Sequence, residues 1–253
     1  MSADPTDPFF IGWAKKLPKG LARFLPAAAV ALVLLFGSAG FLIGATQNDP
    51  GDGDFRWDWG RQTLTGVITN APYPVLTVLE SELFPAGTPL LLSGWGKNGV
   101  QDRSGPLAGQ VVQASGIALT RGDLIMLQLA GGTNGLQAAE GEGQAPEPVS
   151  LGQWRLAGEI CDGKCYAGAM RPGSGLAHKA CANLCLIGGV PPVFVSTGAV
   201  EGQSFFLLAG PDGGPITEAL LDNVATLVQI DGEVERRGDL LVFKIDPATL
   251  EVL

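Results

Sequence analysis

Apolar residues fall along this chain in three patterns. Residues 24 to 45 read FLPAAAVALVLLFGSAGFLIGA, a run without a charge. At about 1.5 Å per residue, a helix of that length spans a bilayer core. Farther on, short runs of Val, Leu and Ile alternate with polar positions between glycines and prolines, the pattern of many short strands. A third stretch, LAHKACANLCLIGG (176 to 189), holds helix formers between the breakers of RPGSG and Gly188-Gly189. It predicts a short helix with Ser174 as N-cap.

Two segments of the strand-rich part match. VVQASGIALTRGDLIMLQL (111 to 129) aligns with LVQIDGEVERRGDLLVFKI (227 to 245), and LLLSG (90 to 94) with FLLAG (206 to 210), all at a spacing of 116. Upstream, LTGVIT (64 to 69) pairs with LAGEIC (156 to 161) at a spacing of only 92, so the second copy carries 24 extra residues between these blocks. Each copy reads as a hairpin turning at Arg-Gly-Asp, here a turn rather than an adhesion signal. The expected fold is mainly β: one N-terminal transmembrane helix, then two duplicated OB-like small β-barrels, the second with a helical Cys/His insert. An immunoglobulin-like sandwich is the alternative. The expected divisions are a leader (1–23), the transmembrane helix (24–45), a linker (46–61), repeat 1 (62–130), a linker (131–152) and repeat 2 (153–253), with the insert at 161–189.

Charge orients this scheme. Lys15, Lys16, Lys19 and Arg23 precede the apolar run, and Asp49, Asp52, Asp54 and Asp58 follow it. The positive-inside rule places the N-terminus in the cytoplasm and the bulk of the chain in the periplasm, anchored in a bacterial inner membrane. A cleaved signal peptide competes, but its apolar stretch is ordinarily about 7–15 residues. The leader mixes aromatics with lysines, as a segment lying along the inner membrane face does; a disordered tail is the other reading. Past residue 50 there are 12 basic against 22 acidic side chains, which repel phosphate backbones and exclude nucleic acid as partner. Gly37, Gly40 and Gly44 give the apolar run a small-residue stripe suited to another membrane helix.

All four cysteines and the sole histidine lie between 161 and 185. On the expected helix His178, Cys181 and Cys185 stand at i, i+3 and i+7, one face, where Cys181 and Cys185 run parallel and suit no mutual disulfide. Three readings stay open. Two disulfides tie Cys161 and Cys165 to the helix; thiolates and imidazole hold zinc or copper, with Met170 as an added copper ligand; or a thiol pair cycles. No CxxCH exists for haem attachment, and one histidine is too few for a Rieske cluster. GWGKNG and GPDGG lack the order of a nucleotide loop and read as turns. Glu80 and Glu82 read as a solvated strand face. Ser-His-Asp chemistry lacks histidines, so no catalytic residue is expected.

Gly158, Glu159, Asp162, Cys165, Tyr166, His178, Cys181, Cys185, Gly188, Gly189, Pro191 and Pro192 form the string GEIxD, CY, HxxCAxxC, GGxPP. Over residues 154 to 245 this resembles an uncharacterised family of exported bacterial domains. The resemblance implies a secreted or anchored domain and no activity. Cys161 falls outside the signature, which implies a core set of Cys165, His178, Cys181 and Cys185 and favours a metal. The expected function is a non-catalytic, membrane-anchored periplasmic accessory or structural subunit of a larger membrane complex, of electron-transfer type. Its partners are integral membrane subunits met by the helix and the barrels. The alternative is a periplasmic zinc- or copper-binding or thiol-redox protein acting through the insert.

Overall fold

The computed structural model describes residues 19–46 and 51–253. The leader through residue 18 and residues 47–50 of the first expected linker lie outside the described residues. The chain divides into two compact units, before and after Pro50. In the first, helix α1 (Lys19–Thr46) extends the expected span upstream, and Gly20–Ala45 is long and apolar enough to cross a membrane.

The second unit is nearly all β. It runs β1 (Asp54–Phe55), β2 (Gln62–Thr69), β3 (Val75–Glu80), β4 (Pro89–Ser93), a short helix α2 (Gln101–Ser104), β5 (Val111–Arg121), β6 (Leu124–Leu129), β7 (Leu136–Ala138) and β8 (Val149–Asp162). Helix α3 (Lys179–Ile187), β9 (Pro192–Val200), β10 (Gln203–Ala209), β11 (Leu227–Arg237), β12 (Leu240–Ile245) and β13 (Glu251–Val252) complete it. Two five-stranded closed barrels result. In the first, β2 pairs with β3, β3 with β4, β4 in parallel with β6, β6 with β5, and β5 closes on β2. The second repeats this circuit with β8, β9, β10, β12 and β11.

The duplication holds residue by residue. Leu91 pairs with Met126 as Leu207 does with Val242, and Arg121 with Leu124 as Arg237 does with Leu240, every position displaced by 116. The two Arg-Gly-Asp turns are therefore equivalent, and Gly122 and Gly238 both take positive φ, 54° and 61°. Shared glycines have a steric cause. A Cβ on Gly116 or on Gly232 would strike the carbonyl of Gln128 or Lys244 across the hairpin, and one on Gly66 or Gly158 would strike Thr77 or Val195. Strands that coil this tightly to close a small barrel leave no room there for a side chain.

Continuous apolar runs mark strands covered on both faces. Leu90 and Leu92 fill the first barrel while Leu91 points out; Phe206 and Leu208 fill the second while Leu207 points out. The outward residues, with Val75, Met126, Val193 and Val242, form a third core between the barrels. Each fully buried side chain of this size contributes about 1.5–3 kcal/mol, so the two barrels are one packed body.

Both expected linkers contain strands: β1 and β7 pair with β5, and β8 begins at Val149. The stretch 131–152 is thus partly built into the sheets, because β5 is long enough to accept partners beyond the barrel circuit. The link between the first and second strands is residues 70–74 in the first barrel but residues 163–191 in the second. Its contents meet at the junction of the barrels.

Candidate metal centre

Four pieces of chain assemble this site. Strand β8 ends on Asp162; a single irregular turn, Cys165–Ala169, presents Cys165; a 3₁₀ turn, Leu176–His178, runs into α3, which carries Cys181 and Cys185. The fourth is the 94–99 turn of the first barrel, read from sequence as a turn, which it is: the Gly94 N–H donates to the Asn98 carbonyl at 2.8 Å. It also delivers Lys97. Ser174 does not cap the helix; the segment starts at Gly175, whose N–H donates to the Glu159 carboxylate at 2.6 Å.

Cys181 and Cys185 of α3 both approach Cys165, while His178 lies in the 3₁₀ turn that precedes the helix. Cys165 Sγ lies 4.0 Å from both Cys181 Sγ and Cys185 Sγ. All four cysteines are free thiols. Tetrahedral zinc, at about 2.3 Å from each sulfur, sets its thiolates about 3.8 Å apart, close to this spacing. Donor atoms of Cys165, His178 and Cys181 lie within 4.8 Å of one another, as do those of Asp162, Cys165 and Cys185. Cys161 stands apart from the set named with it. Alternation along β8 turns it to the side of Glu159, to which its thiol donates at 3.2 Å, while Asp162 turns to the cluster. Burial first, and then Glu159, pushes the Cys161 thiol well up, so it stays protonated.

His178 is the most telling residue. It is 1% exposed, and its Nε2 lies 2.8 Å from Oδ2 of Asp162, itself wholly buried. A carboxylate only accepts, so Nε2 carries the proton and Nδ1 keeps its lone pair. That Nδ1 is buried and has no hydrogen-bond partner among the described residues. A buried acceptor without a donor costs about 1–3 kcal/mol. A carboxylate–histidine pair with the other nitrogen free is how proteins orient an imidazole on a metal. Asp162 also accepts the Cys165 N–H through Oδ1 at 2.8 Å, so one carboxylate orients two of the donors.

Two lysines stand beside these sulfurs. Lys97 Nζ lies 2.6 Å from Cys181 Sγ and 3.8 Å from Cys185 Sγ, and the bond to Cys181 holds the ammonium above its ordinary pKa. Lys164, buried, donates to the Gly94 and Gly96 carbonyls at 2.7 Å each, and desolvation lowers its pKa. The Cys165 thiol, bonded to Cys185, is pushed up, while the same bond draws Cys185 down. Of the two, Cys185 is therefore the first to become a thiolate as pH rises.

A cleft of about 520 Å³ opens onto these sulfurs, walled by Phe55, Trp57, Trp95 and Met170. Phe55 and Trp57 stack with ring centroids 4.7 Å apart, and Trp95 is 75% exposed. The chain matches no family model, no curated protein and no solved structure.

Sequence reasoning missed Lys97, Lys164 and Trp95 as site residues, and it quoted Asp162 without a role. A lysine and a tryptophan inside a glycine-rich turn carry no periodic signal. That Asp162 and Lys164 lie within CDGKC was the only hint.

Proposed function

We propose that this is a membrane-anchored, exported metal-binding protein whose two barrels, OB-like in strand order, hold a zinc ion between them. Cys165, Cys181 and His178 are its first ligands, with Cys185 beside them, all on a connection inserted into the second barrel. The observation that carries this reading is the buried His178, with one ring nitrogen on Asp162, the other without a partner, and a ring nitrogen within 4.8 Å of the Cys165 and Cys181 sulfurs. Zinc is preferred to copper(I) on charge. Three thiolates and Asp162 face Lys97 and Lys164, and only a divalent ion makes that buried group neutral; each uncompensated buried charge costs several kcal/mol.

One preparation tests both halves. The full chain should sediment with membranes, resist alkaline extraction, and carry one equivalent of zinc after detergent purification. Because Cys165 must give up a proton that its surroundings hold tightly, zinc affinity should rise with pH, about tenfold per unit for each proton displaced. Metal-free protein with two disulfides, or zinc bound equally well by a chain lacking His178, would defeat the proposal.

A second reading complements the first. Gly37, Gly40 and Gly44 give α1 a stripe of small residues, which suits an accessory subunit docked through α1 on an integral membrane partner, of electron-transfer type. Replacing Gly40 and Gly44 by Leu should then abolish co-purification with that partner and leave membrane insertion intact. Unchanged co-purification removes this reading.

A further inference from the structure

The zinc reading leaves one position of the metal unassigned, and the cleft points at it. Cys165, His178 and Cys181 make one group of three, and Asp162, Cys165 and Cys185 another; the two share Cys165 without merging into a group of four. A metal on the first group therefore has three protein ligands, the arrangement of zinc sites that keep a coordination position for an exogenous molecule. His178 and Asp162 lie on the sealed side, whereas Cys165, Cys181 and Cys185 form the floor of the open cleft. The remaining position thus faces the cleft and not the protein interior.

The walls then specify what enters. The mouth carries rings and a thioether, Phe55, Trp57, Trp95 and Met170, with Trp57 62% and Trp95 75% exposed. Such exposed rings on a cleft of this volume fit a flat apolar body. At the floor, Lys97 and Lys164 line the cleft beside Cys185, which lies outside the first group, so an anionic end that reaches the metal keeps the site neutral when Cys185 takes up a proton. Beside sulfur ligands, a soft donor is favoured over a hard one. We propose that the cleft binds a small organic thiolate with an aromatic or similarly flat apolar body, its sulfur completing the coordination of the metal. The binding step is a ligand exchange: the thiol loses its proton to solvent, its sulfur donates a lone pair to the metal, and water leaves.

This inference rests on the metal-binding reading, and the experiment separates the two. The full chain in detergent is loaded with cobalt(II), whose visible spectrum reports thiolate ligation, and is titrated with benzenethiol and, separately, with phenol. Benzenethiol should saturably strengthen the sulfur-to-cobalt band, and phenol should leave it unchanged. Trp95→Ala, compared at equal cobalt content, should raise the benzenethiol midpoint about tenfold. A cobalt–thiolate spectrum that ignores benzenethiol, or a thiol that merely strips the cobalt, overturns the cleft proposal and leaves the metal centre standing. Failure to acquire any cobalt–thiolate spectrum overturns both.

Discussion

Asp162→Asn should lower the affinity for zinc about 10–100-fold, the range set by losing the partner that orients a metal-bound histidine. The effect depends on a single proton. Asp162 Oδ1 accepts the Cys165 N–H, and the asparagine oxygen can keep that bond. Its amide nitrogen then faces Nε2 of His178, where the carboxylate had accepted. Two donors cannot face each other, so the imidazole moves its proton to Nδ1. The lone pair that should meet the metal is gone, although the ring remains and volume barely changes. Competition against a chromophoric chelator at fixed pH measures the effect. If Asn at 162 binds zinc as tightly as Asp, then His178 is an ordinary buried histidine and the centre must be drawn without it.

A second large effect is expected at a residue that gives the metal no donor atom. Gly188→Ala should lower the thermal midpoint by about 2–12 °C, from an overpacking cost of about 1–3 kcal/mol and the size of this body. Gly188 has φ of −74°, which any residue adopts, so backbone strain is not the cause. A Cβ there would collide with the Lys97 carbonyl of the first barrel. The same seam holds the Gly99 N–H to the Gly188 carbonyl at 2.7 Å and the Gln101 side chain to the Gly189 carbonyl at 2.6 Å. Pushing the 94–99 turn away also carries Lys97 off Cys181, so zinc affinity should fall with stability. Gly105, helical and with nothing near its missing Cβ, is the control: Gly105→Ala should leave the midpoint unchanged or slightly higher. Equal behaviour of the two alanines would show that this seam does not hold the barrels together.

Much of the architecture was legible in one dimension because its causes are local or repeated. An uncharged apolar run of that length becomes a helix whatever surrounds it, and Gly20–Ala45 does. The duplication was visible because both barrels meet the same steric demands in the same order: glycine where strands coil too closely for a Cβ, glycine again at the hairpin turn, and alternating apolar residues between. The spacing of 92 against 116 located the long connection, and helical periodicity placed His178, Cys181 and Cys185 on one face.

What the linear order left undecided was which side chains face that helix from elsewhere. Cys161 and Asp162 are adjacent in sequence, and only the direction of the last pleat of β8 sends the carboxylate, not the thiol, into the cluster. Lys97 reaches Cys181 across 84 positions because the outward faces of equivalent strands, Leu91 with Met126 and Leu207 with Val242, bury each other. That burial sets the 94–99 turn against Gly188 and brings Trp95 to the mouth of the cleft. Local propensity and spacing determined the elements, their repetition and three of the donors. The approach of Lys97 to the thiols and the open side of the site were decided by barrel-on-barrel packing, since such contacts depend on burial between distant faces and leave no periodic trace in the chain.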